Sequence, residues 1–456
     1  MIISEPILIP NKTDVLIYAV EINDRHGVGI LVQRIFPNLD QMISIRALDI
    51  YNGEHKFGGV QLQISHTDLN RSKGIAKVKE ALAAYNIDRV ICIPYNSDEI
   101  LTALAIHDLY GGSICTYVMD DRNVLIPGIP DELMQELLSK SDLCLGISPE
   151  MCDIYRAKYG IEMHFAPPVL PKELINNEIP NLSPEKLKSR TGAMIGNIWS
   201  SSWLEMLRQT TKVAKIDLDW YGNTGAEWNI EARSQLQGDG IIEKGFLPTE
   251  LEVATALRQY PFVVVPSGTL DERDRKPSTS WLSLPSRIPF ILASSNTPII
   301  VLGNRHTAAA RFVTRLGIGI VADYDGASLR RAVEYITQPE IQEQFRTRAA
   351  SIAPLFENKD TNEWIWQSLA AGKPIDDRFD RILTQPLDYT QSLAQCFYAI
   401  RNYRDLQQLT GANSEQVTLL QQQVYELEAQ IHSMESTKFW QLRQVWFKLK
   451  KLLRFI

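Results

Sequence analysis

Short β-branched runs alternate along the chain with stretches in which apolar residues recur every three or four positions, a pattern of parallel βαβ units rather than of hairpins. In the first part, Val15–Val20, Arg89–Ile93, Ser113–Val118 and Leu143–Ile147 read as strands, with helices near Ile75–Tyr85, Asp98–Leu109 and Pro149–Tyr159. A Pro-rich, charged stretch from Pro167 to Arg190, PPVLPKELINNEIPNLSPEKLKSR, interrupts the pattern. It then restarts, with strands over Gly192–Asn197, Ile216–Tyr221, Phe262–Val265, Pro298–Leu302 and Ile318–Val321 and helices beginning near Ser201, Thr249, Pro285, Thr307 and Ala327. The expected architecture is α/β, with two doubly wound domains at 1–170 and 191–375, a linker at 171–190, and helices at 376–412 that cross back to the first domain.

The last part of the chain differs in kind. Val417, Leu420, Val424, Leu427, Ile431 and Met434 step by three and four, predicting a short coiled coil at 413–435 and a homo-oligomer contact through 417–434. After a break at Ser436-Thr437, Phe439, Leu442, Trp446, Leu449, Leu453 and Ile456 form a second stripe opposite Lys438, Arg443, Lys448, Lys450, Lys451 and Arg454. A basic amphipathic helix over 436–456 reads as an interfacial helix attracted to an anionic membrane surface.

Ser283–Gly303, SLPSRIPFILASSNTPIIVLG, carries the densest chemistry: Pro285-Ser286-Arg287 opens an apolar helix that runs into a buried strand. A helix N-terminus beside a fixed guanidinium is suited to an anion. Ligands of such sheets bind at the carboxyl ends of strands, which selects Asn197, Gly222, Asn223, Ser267, Gly268 and Gly303 in the second domain. In the first, the strand SICTYV ends near Asp120-Asp121-Arg122, where a carboxylate can orient a hydroxyl or accept a proton, and His26 is a second base candidate. Gly27-Val28-Gly29 lacks the third glycine of a dinucleotide fingerprint and reads as a loop at the cleft.

Composition narrows the partners. At 456 residues and 45% hydrophobic, the chain has material for two cores and a tail, and a net charge of −7 argues against nucleic acid. Five scattered cysteines, Cys92, Cys115, Cys144, Cys152 and Cys396, show no C-x-x-C spacing and read as buried thiols in a reducing compartment. No basic n-region with a sustained apolar run opens the chain, so it is expected in the cytoplasm, peripheral to the membrane. Asp217-Leu218-Asp219 spells a metal motif but lies along one strand, before its ligand-facing end; no metal is expected.

Pro285-Ser286-Arg287 followed by Ala293-Ser294-Ser295-Asn296-Thr297-Pro298-Ile299-Ile300 resembles the element P-S-K, or E-x7-E, followed by A-A-G-x-P-V-I in GT-B glycosyltransferases, chiefly the retaining group-1, family-4-like ones. The resemblance covers roughly 192–336 and implies two Rossmann-like domains, a donor diphosphate resting on Ser283, Ser286 and Arg287, and a nucleobase held by the backbone of Phe246, Leu247 and Pro248. Two departures stand out. Asn197-Ile198-Trp199-Ser200-Ser201 replaces an Arg and a Lys, and Phe290 and Ile291 stand near the place of the second glutamate. Arg287 then carries much of the phosphate contact, with Arg273, Arg275 or Lys276 of the polar loop DERDRKPSTS as helpers. The resemblance implies a hexosyltransferase-like enzyme without cofactor, which moves a sugar from a nucleotide-diphosphate sugar to a glycan, polysaccharide or lipid-linked acceptor, with Asp120 or Asp121 on the acceptor side. A sugar-nucleotide epimerase of the same fold, or a non-catalytic nucleotide-sugar-binding partner of another transferase, are the alternatives.

Overall fold

A computed structural model describes residues 12–37, 42–66, 70–125, 128–180, 182–222 and 235–384. Asn223, Cys396, the crossover segment beyond 384, the heptad stretch and the basic helix lie outside the described residues.

Two wholly parallel sheets organise this part of the chain. The first contains β1 (Thr13–Tyr18), β2 (Met42–Arg46), β3 (Val60–Gln63), β4 (Ile87–Cys92), β5 (Ser113–Val118), β6 (Leu143–Gly146) and β7 (His164–Phe165), in the order β3-β2-β1-β4-β5-β6-β7. The second contains β8 (Thr191–Ile195), β9 (Asp217–Tyr221), β10 (Ile241–Gly245), β11 (Val263–Pro266), β12 (Ile299–Leu302) and β13 (Gly319–Ala322), in the order β10-β9-β8-β11-β12-β13. Helices cover the faces, so the central strands are buried continuously rather than alternately, as parallel strands must be. In both sheets the order reverses beside the first strand, between β1 and β4 and between β8 and β11, and ligands of doubly wound folds bind at such switch points.

Local chemistry sets the helix starts. Ser200 accepts the N–H of Trp203 at 3.2 Å and begins Ser201–Ala214, and Thr249 closes a capping box with Glu252 before Glu250–Leu257. Arg208 on the first of these helices holds Asp239 through Nε at 2.9 Å, and both are nearly fully buried, which braces the helix against the entry to β10. Burial alone would raise the Asp239 pKa, but the bonds from Arg208 and Lys212 hold it below the usual carboxylate range.

The strand exits of the second sheet approach one another closely. A Cβ on Gly222 would lie 2.6 Å from the carbonyl oxygen of Gly196, and one on Gly303 would lie 2.7 Å from that of Gly268. Side chains are excluded there by backbone.

The structure departs from the sequence reading in several places. Strands β2, β3 and β7 were not expected. The polar loop is partly helical, over Pro277–Leu282, with Pro277 opening the helix, and Asp274 ties down what precedes it by accepting from Lys276 N at 3.0 Å and Trp203 Nε1 at 3.3 Å. The return to the first domain comes before 375: Asn358 Nδ2 donates to Arg34 O at 2.7 Å, and Trp366 on helix Thr361–Ala371 packs against Phe36 and beneath the Arg89 guanidinium, 4.1 Å from its ring centre. Asp219 accepts from Tyr260 Oη at 2.6 Å, while Asp217 is exposed. Cys92, Cys115, Cys144 and Cys152 are buried free thiols. Among the described residues no helix is long and apolar enough to cross a membrane, and no group of three or more His, Cys, Asp or Glu is placed to hold a metal ion.

Candidate functional site

The exits of β8 and β11 border a small, open pocket lined by Trp199, Trp203, Pro266, Ser267, Thr279, Ser280, Ser283, Pro285 and Arg287. Its position is the switch point of the second sheet. One wall is aromatic, one is a row of hydroxyls, and Arg287 supplies the only formal charge in the lining.

Arg287 is the first residue of helix Arg287–Ser295 and folds back over the exit of β8. Its Nη1 donates to Ile195 O at 3.0 Å and its Nη2 to Asn197 O at 2.5 Å, with the guanidinium 5.7 Å from the centre of the Trp199 ring. Two carbonyls and a ring face thus fix the fork and leave further N–H groups available. Burial pulls the Arg287 pKa down to about 10, so the group stays cationic at neutral pH. The helix end itself is poorer in donors than expected. Pro289 has no N–H and Ile288 N is turned back onto Pro285 O at 2.9 Å, so the capacity for an anion rests chiefly on the guanidinium.

Several expected site residues meet here. Ser267, Ser283 and Arg287 line the pocket, and Asn197 joins through its carbonyl. Ser286 precedes the helix without a side-chain cap bond and lies against the first domain: a Cβ on Gly27 would be 3.1 Å from its Oγ. Gly222, Phe246 and Leu247 lie at the carboxyl ends of β9 and β10, outside the lining, with Phe246 74% exposed. Arg273, Arg275 and Lys276 are also outside it; Arg273 is paired with Asp271 at 2.6 Å.

The first domain contributes one carboxylate. Asp120 Oδ2 accepts from Tyr95 Oη at 2.6 Å, and its Oδ1 accepts from Ser283 Oγ at 2.7 Å, across the cleft from the second domain. Asp121 must be reassigned. It is 4% exposed and accepts from the backbone N–H groups of Asn123 at 3.1 Å, Val124 at 2.9 Å and Leu125 at 2.9 Å, and from Tyr155 Oη at 3.2 Å. Its carboxylate organises the loop after β5 and lies outside the pocket lining.

His26 is corrected for a similar reason. Its Nδ1 accepts from Gly29 N at 3.0 Å, capping helix Gly27–Ile35, and its Nε2 is bonded to Glu21 O at 2.9 Å. Those partners fix the neutral Nε2–H tautomer and occupy both nitrogens. The ring is stacked between Tyr18 and Tyr51, and burial lowers its pKa.

Sequence reasoning missed Trp203, Thr279, Ser280 and Tyr95. The tryptophan has a legible signal, since Trp199 and Trp203 are four apart across a Ser helix cap, and their rings lie 6.1 Å apart. Tyr95 has one too, because it immediately precedes the N-cap Asn96 of a capping box completed by Glu99.

No family model and no curated protein matches the sequence. Solved structures do match. The Anabaena protein Alr3699/HepE, in complex with UDP and glucose, superposes with a TM-score of 0.54 at 12% identity, covering 79% of this chain and 100% of that one. The lipopolysaccharide outer core galactosyltransferase WaaB, in its apo form, gives a TM-score of 0.51 at 12% identity, covering 79% and 99%. The chain has the GT-B fold.

Proposed function

We propose that this protein transfers a sugar from a nucleotide-diphosphate sugar to a hydroxyl of a glycan, polysaccharide or lipid-linked acceptor, without a resident metal or organic cofactor. The observation that carries the reading is the pocket at the switch point of the second sheet, with Arg287 fixed beside it and Asp120 reaching its wall from the opposite domain. In the reaction the bond from the anomeric carbon to the diphosphate oxygen breaks, a bond to the acceptor oxygen forms, and the proton of the acceptor hydroxyl is taken up by the departing diphosphate. The departing electron pair collects on the diphosphate, where a guanidinium held in place by two carbonyls stabilises it without reorganising. Asp120 faces the transferring sugar.

Uridine is the first nucleotide to test, because the Anabaena neighbour was solved with UDP and glucose. Nucleobase contacts would come from the turn after β10, and the membrane contact from the basic segment 436–456. Calorimetry with UDP, GDP and ADP, followed by release of free sugar from their glucose, galactose and N-acetylglucosamine esters, tests the reading. Binding of at least one diphosphate with slow sugar release is the expected result; absence of any diphosphate binding refutes it.

One observation favours a second reading. The stretch Asn197-Ile198-Trp199-Ser200-Ser201 stands where the resembling enzymes carry an Arg and a Lys, so Arg287 is the one cation of the pocket lining. A non-catalytic nucleotide-sugar binder fits this lining, and it would bind the donor without ever releasing sugar to water.

A further inference from the structure

We propose that Tyr95 is the positioning residue of Asp120, and that Asp120 Oδ1 is the subsite for a hydroxyl of the transferring sugar, whose place Ser283 Oγ holds in this conformation. This rests on the nucleotide-sugar reading above and adds to it the contact through which the protein would sense the sugar itself.

The two oxygens of Asp120 are served by donors of different standing. Tyr95 belongs to the same domain, and everything about it is fixed. Its backbone N–H donates to Glu99 Oε2 at 3.0 Å, within the capping box that starts helix Ser97–Tyr110, and Glu99 is itself 1% exposed. Its ring stands edge-on to Tyr18 at 5.4 Å and lies 5.3 Å from the Arg122 guanidinium. A hydroxyl placed by a helix cap, a perpendicular ring and a cation holds one oxygen of the carboxylate whatever the second domain does. The short stretch Tyr95-Asn96-Ser97-Asp98-Glu99 therefore aims Asp120 from below, through the start of a helix.

Ser283 belongs to the other domain. It sits between helix Pro277–Leu282 and the Pro285 turn, lines the pocket beside Arg287, and makes its bond to Asp120 across the cleft. An aliphatic hydroxyl donating to a carboxylate at 2.7 Å is the contact that a sugar hydroxyl makes with a carboxylate. Because one side chain is both the wall of the pocket and the partner of Asp120, a sugar attached to a diphosphate at Arg287 reaches Oδ1 by taking over the position of Ser283 Oγ. Ser267 and Thr279 also line the pocket on the side of the remaining sugar oxygens, while Ser280 Oγ already donates to Lys276 O at 3.0 Å.

The test measures the gain in affinity that the sugar adds to the nucleotide. Full-length wild type, Tyr95→Phe, Asp120→Asn, the double variant and Ser283→Ala are titrated with UDP, GDP and ADP and with their glucose, galactose and N-acetylglucosamine esters, alongside thermal unfolding. For the sugar that wild type prefers, Asp120→Asn and Tyr95→Phe are each expected to cut the ratio of diphosphate Kd to sugar-ester Kd by roughly tenfold, with the diphosphate Kd itself within about twofold of wild type. The double variant is expected to lose no more than Asp120→Asn alone, since Tyr95 acts through that carboxylate. Ser283→Ala removes the place-holder, and the ratio is expected to hold or rise. A Tyr95→Phe protein whose diphosphate binding and sugar ratio both match wild type overturns this inference while leaving the nucleotide site standing. Equal losses for diphosphate and sugar ester make Tyr95 a merely structural residue and overturn it too. Failure of wild type to bind any diphosphate removes the site reading and this inference together.

Discussion

Replacing Arg287 with alanine separates the anion site from everything else the residue does. In the free protein the guanidinium ties Ile195 O and Asn197 O and covers Trp199, so its loss loosens the exit of β8 for any ligand that uses the pocket. That cost falls equally on a nucleoside and on its diphosphate. The diphosphate alone loses the charge-assisted contact, worth about 1.5–3 kcal/mol, or roughly ten- to a hundredfold in Kd. The ratio of the two dissociation constants is therefore the quantity to read, by calorimetry on uridine and UDP, with wild type and Arg287→Ala at low and moderate salt. The ratio is expected to collapse by at least about tenfold, and the salt dependence of UDP binding to shrink with it, because a lost cation removes a screened attraction. Arg287→Lys is expected to fall between, since an ammonium keeps the charge but cannot span two carbonyls as a fork. Equal weakening of uridine and UDP would refute the reasoning, because it would mean that the phosphates lie elsewhere and Arg287 serves only the loop.

Three further outcomes are expected. Asp121→Asn converts one accepting oxygen into a donor among three backbone N–H groups and is expected to cost about 1–3 kcal/mol in denaturant unfolding; a variant as stable as wild type would show that the loop after β5 does not depend on it. Asp239→Asn removes the nearly buried anionic partner of Arg208, which keeps only Glu205 and Gln235, and is expected to cost about 1–3 kcal/mol at neutral pH. The Asp239 pKa is depressed in the folded state, so its contribution is full above the unfolded value of about 4 and is lost as pH falls through the lower folded value. The gap between wild type and Asp239→Asn should accordingly narrow below about pH 4, and a pH-independent gap would contradict the pairing. Cutting the chain after Met434 removes all six cations of the terminal stripe and is expected to abolish sedimentation with anionic vesicles while leaving nucleotide affinity intact; an intact chain that ignores such vesicles at low salt would end the membrane reading.

Where strong local rules agreed, the elements were legible. Thr249, Thr307 and Ser200 are caps that announce their helices, and buried runs such as VVVP and IIVL have no other home than the middle of a parallel sheet. The Pro-Ser-Arg turn gave the start of helix Arg287–Ser295 for the same reason. Strands β2 and β3 escaped because MISIR and VQLQ mix polar with apolar residues instead of forming a continuous apolar run, and alternation over four or five residues does not separate strand from turn. The site was harder, since its decisive facts are partnerships between distant residues. Nothing local in Asp120-Asp121 says which carboxylate turns back on its own loop and which reaches Ser283, 163 residues further on. His26 has the composition of a base and the neighbours of a helix cap, and only the neighbours decide.

The glycine pairs at the exits of β8 and β9, and of β11 and β12, bear on how this rim could ever be mapped by mutation. Gly196 with Gly222, and Gly268 with Gly303, present peptide planes where other folds would present side chains. An alanine scan works by subtraction and passes over such a surface in silence, since nothing is there to remove. The informative library runs the other way, adding a methyl at each of these positions. Gly268→Ala is the severest case, because the new carbon would fall 1.9 Å from Asp274 Oδ2 and 2.0 Å from Ser280 Oγ, inside the shell of the pocket. A mutational map drawn only from truncations would therefore leave the backbone-built part of this site blank and credit its work to the few side chains around it.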